Sequence, residues 1–388
     1  MELFSTVQNV LVELSVPVLT ADDGEDEIQL VNPITVASYS WLERPKPTIL
    51  VPGSPPIWND HPLPFKVEKD NFSAFVDQNG HRTPEYPLYS LFASILHISP
   101  KYDFIALDLL SDRNNLRKLL RWIRGRGIHD ATIKDFRIDV QRFQNTVIFV
   151  RMETKTIEVA NKGYGLGFQQ KVANAPPGPG AENQTGHNRM VRYMFEGIDM
   201  LVRFELDACL RADPSDADTL ASELDSLTVS DDTNDNPDEI PVPHPAGLTI
   251  VPGSNASMVP ASRTIELVTV TRKFAHNINW VENYPQVLLS QTHHHFLGLH
   301  DFGRFTEVKR RTLEDMQNGV IGEEVEGDLK RLGKILVKIL EVVRERDERE
   351  LLSLVCQNGA LSLRKRDDGR QAVPPEYVSF FTCLPDSS

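Results

Sequence analysis

Runs of apolar and polar positions alternate along much of the chain with a period of two, and a few segments switch to the helical period. In Leu201–Leu210, LVRFELDACL, Arg203, Glu205 and Asp207 fall on one face of an extended strand and Val202, Phe204, Leu206 and Ala208 on the other. That pattern predicts a strand with one core face and one face carrying two carboxylates. Phe136–Glu153 reads as two strands meeting near Gln144 and Asn145, and Thr264–Thr271 as another with Thr264, Glu266 and Val268 on one side. From Ser111 the period changes. Leu116, Leu119, Leu120 and Ile123 recur at helical spacing, Asp112 stands where an N-cap belongs, and Arg113, Arg117, Lys118, Arg121 and Arg124 give the helix a basic side. Leu329, Leu332, Ile335, Leu336, Ile339, Leu340 and Val343 mark the clearest amphipathic helix, and Gln286–Gly298 holds a further helix or strand.

Other stretches interrupt this regularity. Residues 1–45 contain two apolar runs around the acidic turn Ala21–Glu27, which predicts an edge hairpin or an N-terminal arm. The prolines of Pro45–Pro64 exclude regular helix and favour an extended segment lying over the body. Its Val51-Pro52-Gly53-Ser54 turn recurs as Val251-Pro252-Gly253-Ser254. Strands interleaved with helices describe one α/β (α+β) domain over residues 1–388, with central mixed β-sheets flanked by helices.

Charge refines that picture. The 388 residues carry a formal charge of −14, yet about ten acidic residues and no Lys or Arg lie between Asp213 and Glu239. Residues 213–245 therefore read as an acidic, disordered insertion, and the remaining body is nearly balanced and open to an anionic ligand. Three cysteines at unrelated spacings, Cys209, Cys356 and Cys383, give neither a disulfide framework nor a zinc motif and favour a reducing compartment. Glu2 and Glu13 stand where a secretory signal needs positive charge, and no apolar run approaches a membrane span. The expectation is a nuclear or cytoplasmic protein, not secreted and without a membrane partner.

Candidate chemistry centres on carboxylates. Glu205 and Asp207, joined by Glu266 if the strands are neighbours, offer hard oxygen ligands to Mg²⁺ or Mn²⁺, the arrangement used to polarise a phosphate and activate water. Thr292-His-His-His295 and His300 lack an HExxH or cysteine companion, which makes them a polar run rather than a zinc site. Gly163–Phe168 completes no phosphate-loop motif, and no GxSxG is present. Asp231-Asp232-Thr-Asn-Asp235 matches the DDxxD of prenyl diphosphate synthases, but it sits in the acidic insertion and not on a helix of an all-α bundle.

The order of these pieces from about residue 105 to 311 resembles the DXO-type decapping nuclease family, in a fungal-like branch. Gly165-Leu-Gly-Phe-Gln169 matches that family's Gly-hydrophobic-any-hydrophobic-Glu motif with Gln169 in place of the acid. Glu205-Leu206-Asp207 meets Glu-hydrophobic-Asp in full, and Glu266-Leu267 meets Glu-hydrophobic-Lys with Val268 where lysine belongs. Gln291 stands for the family's later glutamine, and ungapped comparison puts Asn115, flanked by Arg113 and Arg117, at its early arginine. The resemblance implies catalysis by Glu205, Asp207, Glu266 and Gln291, with Mg²⁺ or Mn²⁺ on Glu205, Asp207, Glu266 and Gln169. It implies RNA 5′-end binding by Arg113, Arg117 and Arg203, a 5′-to-3′ exoribonuclease as partner, and no role for DNA. Losing a metal-binding acid at Gln169 and a cation at Val268 weakens such a centre, which leaves an eroded hydrolase or an inactive relative that binds RNA or protein.

Overall fold

The computed structural model describes residues 3–20, 28, 30–125, 133–160, 163–178, 183–212, 242–243, 247–254 and 258–382. The acidic insertion, with its DDxxD match, lies almost entirely outside these residues.

Among these residues two mixed sheets organise the structure, one of 12 strands and one of seven, with a two-stranded ribbon beside them. This is the mixed α+β architecture expected. It gives no support to prenyl diphosphate synthesis, which requires an all-α bundle. The large sheet is buried on both faces. On one side the helices Arg113–Arg124, Trp280–Ser290 and Val320–Arg344 cover Val140, Phe149, Met200, Val202 and Phe204. On the other, the helix Tyr89–Ile98 and the terminal turn Pro375–Phe381 cover Tyr39, Ile148 and Leu201. The smaller sheet closes a third core around Trp58, Phe65, Phe168, Phe296 and Phe305. Among the described residues no helix is long and apolar enough to cross a membrane.

The N-terminal runs do not pair with each other. Val7–Leu14 lies antiparallel to Ala360–Arg366 at the sheet edge, while Leu30–Leu42 pairs along Gln184–Phe195 inside the sheet. The two Val-Pro-Gly-Ser turns meet. Thr249–Pro252 runs parallel to Thr48–Val51, and Gly253 donates its N–H to the Val51 carbonyl at 2.6 Å. A Cβ on Gly253 would lie 2.2 Å from the Pro52 carbonyl oxygen, so only glycine permits this approach.

The LVRFELDACL stretch is not one strand. Ile198–Glu205 belongs to the large sheet, between Leu109–Asp112 and Gln184–Phe195, whereas Ala208–Cys209 belongs to the small sheet beside Thr264–Thr271. Leu206, anchored by its N–H to the His187 carbonyl at 2.9 Å, is where the chain crosses over. Glu205 therefore ends one sheet and Asp207 stands just before the first residue of the next. The expected single carboxylate-bearing face is also corrected, because Leu201 and Arg203 on that face are buried in the second core region.

Candidate active site

Three elements bring the acids together at this crossover. The Thr264–Thr271 strand supplies Glu266, and its Leu267 N–H donates to Asp207 Oδ2 at 2.8 Å, tying the two sheets' acids into one centre. The helix Arg113–Arg124 starts here and sets Arg113 Nη1 3.0 Å from Glu266 Oε2. Arg113 also donates to the Gln286 carbonyl at 3.1 Å and lies over the Phe204 ring at 5.4 Å. The helix Trp280–Ser290 adds Gln286, whose amide donates to Glu266 Oε1. From the fourth side Gln169, on the helix Gly165–Val172, donates its amide to the Asp207 main-chain carbonyl at 3.0 Å.

Charge is unevenly matched in this cluster. Burial, then the proximity of Glu266 and Glu205, pushes the Asp207 carboxyl well above the usual carboxylate range, against the Leu267 N–H and the more distant Arg113. Glu205 has an open edge to solvent. The surrounding walls nevertheless raise its carboxyl, with Arg113 pulling down and Glu266 pushing up. Arg113 is thus the cation shared by the three acids.

Beside Glu205 opens a cavity of about 200 Å³ lined by Asn79, Arg113, Arg117, Arg151, Asn188 and Glu205, among others. Arg117 keeps its Nε buried without a hydrogen-bond partner. Burial and the neighbouring Arg113 and Arg121 lower its pKa to about 10, which still leaves it charged at neutral pH. The cavity therefore offers guanidinium groups to an anion at the edge of the acidic centre.

Several expected residues are held by other partners. Arg203 is fully buried and locked to Asp112 at 2.6 and 3.0 Å, with further bonds to Pro87 and Ser90. It fixes the cavity floor rather than offering a free guanidinium. Asp112 occupies the N-cap position but makes no cap hydrogen bond, because its carboxylate serves Arg203. Asn115 is buried against Ser111 and the Phe149 carbonyl, and Arg113 is the helix residue that reaches the acids. Gln291 adopts φ 50° after the helix and turns its amide back onto the Leu288 carbonyl at 2.8 Å. The glutamine that touches the carboxylates is Gln286, four residues after Glu282 on one helix face; that spacing was the available signal.

The donor set does not form a metal site as it stands. Among the described residues no three His, Cys, Asp or Glu side chains gather closely enough to hold a metal ion. Glu266 is engaged by Arg113 and Gln286, and one Asp207 oxygen by a backbone N–H. Gln169 donates its amide N–H to the Asp207 carbonyl, so its Oε1 is the atom it would offer a hard cation.

The fold is shared with solved proteins. Rai1 of S. pombe aligns with a TM-score of 0.52 at 13% identity, covering 89% of this chain and 97% of that one. Scheffersomyces stipitis Rai1, solved with (3'-NADP)+ and calcium, gives a TM-score of 0.57 at 11% identity over 96% and 99% of the two chains. Candida albicans Rai1, solved with pU5-Mn2+, gives 0.53 at 12% identity over 91% and 95%. The architecture is therefore that of the Rai1 decapping-nuclease group, the group the motif order resembles. No curated protein matches the chain in sequence. The chain belongs to the family described as Domain of unknown function (DUF8563), whose model matches residues 31–361.

Proposed function

We propose that this protein is decapping-nuclease-like: it takes RNA 5′ ends into the arginine-lined cavity and presents them to Glu205, Asp207 and Glu266. The observation that carries the reading is the convergence of these acids, from two sheets, on Arg113 at the cavity edge. Arg113 and Arg117 meet the 5′ phosphate, and the acids face the adjoining bond. A similar fold in Candida albicans Rai1 was solved with pU5-Mn2+, which supports an RNA 5′ end and a divalent cation, Mg²⁺ or Mn²⁺, as the matching ligands. A divalent cation here would be held by Glu205, Asp207 and Glu266, with Glu266 released from Arg113, and would supply polarisation of the phosphate.

A second reading, an RNA-binding relative without hydrolysis, is favoured by one specific arrangement. Arg113 and Gln286 already satisfy Glu266, and Val268 supplies no replacement cation. The proposal extends to a 5′-to-3′ exoribonuclease as protein partner and to a nuclear or cytoplasmic setting. The test is incubation with 5′-monophosphorylated, triphosphorylated and capped RNA, with and without Mn²⁺, beside Asp207→Ala. Metal-dependent product above that control establishes the hydrolase. Binding without product establishes the second reading, and neither binding nor product removes both.

A further inference from the structure

Behind the acidic centre three neighbouring strands set a second row of chemistry. Glu266 is the cross-strand partner of His295, and His295 of Arg311, so the three side chains stand side by side on one face of the small sheet. Successive strands are about 4.8 Å apart, which puts Arg311 roughly two spacings from Glu266. The helix Trp280–Ser290 roofs the whole row. Its Gln286 meets Glu266, while its Trp280 ring lies 5.4 Å from the His295 ring and 4.8 Å beneath the Arg311 guanidinium.

This row is electrostatically unfinished. Opposite charges two strands apart are separated by the buried ring of His295 standing between them. Glu266 takes Arg113 as its counter-ion instead. Arg311 is left with no carboxylate in salt-bridge range among the described residues, and its Nη1 is buried without an acceptor. The neighbouring Asp315 is occupied in a capping box with Thr312. His295 itself is completely buried, and neither ring nitrogen has a hydrogen-bond partner. Buried polar atoms in native proteins are nearly always satisfied, so two adjacent residues failing together mark a place that something else completes.

We propose that Arg311, oriented by Trp280 and insulated from Glu266 by His295, is an oxyanion subsite that takes a phosphodiester of the RNA chain downstream of the 5′ end. The inference rests on the RNA 5′-end reading above. It assigns the 5′ phosphate to Arg113 and Arg117 and the following backbone to Arg311, so that the row measures out the first nucleotides.

Affinity for 3′-labelled 5′-phosphorylated pentauridylate and, by competition, for uridine 5′-monophosphate tests this with wild type, Arg311→Gln and Arg311→Lys. Arg311→Gln is expected to weaken the pentanucleotide about fivefold or more and to lower its salt slope by about 0.7, the value for one phosphate on a single strand. The mononucleotide should bind unchanged, and Arg311→Lys should recover most of the loss. Because Arg311 is only half-buried, both variants should keep the wild-type circular-dichroism spectrum. Equal affinities of wild type and Arg311→Gln for the pentanucleotide overturn the subsite, and so does equal loss of both ligands. If wild type binds neither RNA ligand, tryptophan fluorescence is titrated with inorganic pyrophosphate. A response present in wild type and absent in Arg311→Gln keeps the anion site while the RNA reading falls; no difference overturns the site as well.

Discussion

The helix Trp280–Ser290 touches two charge clusters of opposite stoichiometry. Near its start one acid, Glu282, is ringed by Arg121 at 2.9 Å, Arg117 at 3.4 Å and Arg124 at 3.8 Å, with Asp328 taking Arg124 at 2.7 Å. One turn later, three acids, Glu205, Asp207 and Glu266, lie around Arg113, with Arg151 adding a weaker pull on Glu205. Burial tends to raise the carboxyls of Glu282, Glu205 and Asp207, but the outcomes diverge. Arg121, Arg117 and Arg124 outweigh burial and hold Glu282 below the usual range, whereas Glu266 adds to burial and holds Asp207 above it. An acid with surplus cations locks helices together. Acids with a deficit of cations keep a site unsatisfied and ready for a ligand that supplies charge.

The largest effect should come from removing the balanced acid. Glu282→Ala leaves three half-buried or buried guanidiniums facing one another, and urea denaturation should show a loss of about 3–5 kcal/mol, the range for breaking buried ion pairs. The pH dependence has a definite sign. Glu282 has a depressed folded pKa, so its contribution is present above its unfolded pKa and lost as pH falls through the folded one. Wild type should therefore lose stability down the acid limb more steeply than Glu282→Gln.

The unbalanced acid should behave the opposite way. Asp207→Asn should stabilise the protein at pH 7 by about 0.5–2 kcal/mol, as removal of a local conflict commonly does, while abolishing any hydrolysis. Asp207 has a raised folded pKa, so the stability it gives in its protonated form is present below its unfolded pKa and lost as pH rises through the folded one. The advantage of Asp207→Asn should accordingly grow with pH; an advantage constant across the titration would remove the charge argument.

A smaller effect tests the missing cation. Val268 lies two residues from Glu266 on the same strand and is half-buried. Val268→Lys should reduce the stabilisation given by Asp207→Asn, with a coupling of about 0.5–1 kcal/mol in a double-mutant cycle. Strict additivity would mean that position 268 does not face the acids.

Much of this was legible in the residues. Apolar periodicity gave the basic helix as Arg113–Arg124, the hairpin turning at Gln144, the Thr264–Thr271 strand and the long helix, because each buries a continuous stripe. The crossover at Leu206 was hidden, since alternation continues unbroken through LVRFELDACL while the chain changes sheets. Arg203 looked like a ligand contact because its partner, Asp112, lies 91 residues away and was already assigned as a cap. Whether Gln286 or Gln291 meets Glu266 depends on which helix face packs against it, a tertiary fact. The charge deficit itself was invisible, since only folding decides that Arg113 joins the acids while Arg117, Arg121 and Arg124 join Glu282.

The central claim is that the arginine-lined cavity beside this acidic centre holds an RNA 5′ phosphate. Fluorescence anisotropy with 5′-phosphorylated and 5′-hydroxyl pentauridylate, labelled at the 3′ end and compared at one salt concentration, measures it directly. The account predicts at least about tenfold tighter binding of the phosphorylated strand, equivalent to about 1.4 kcal/mol. Equal affinity for the two strands would contradict it.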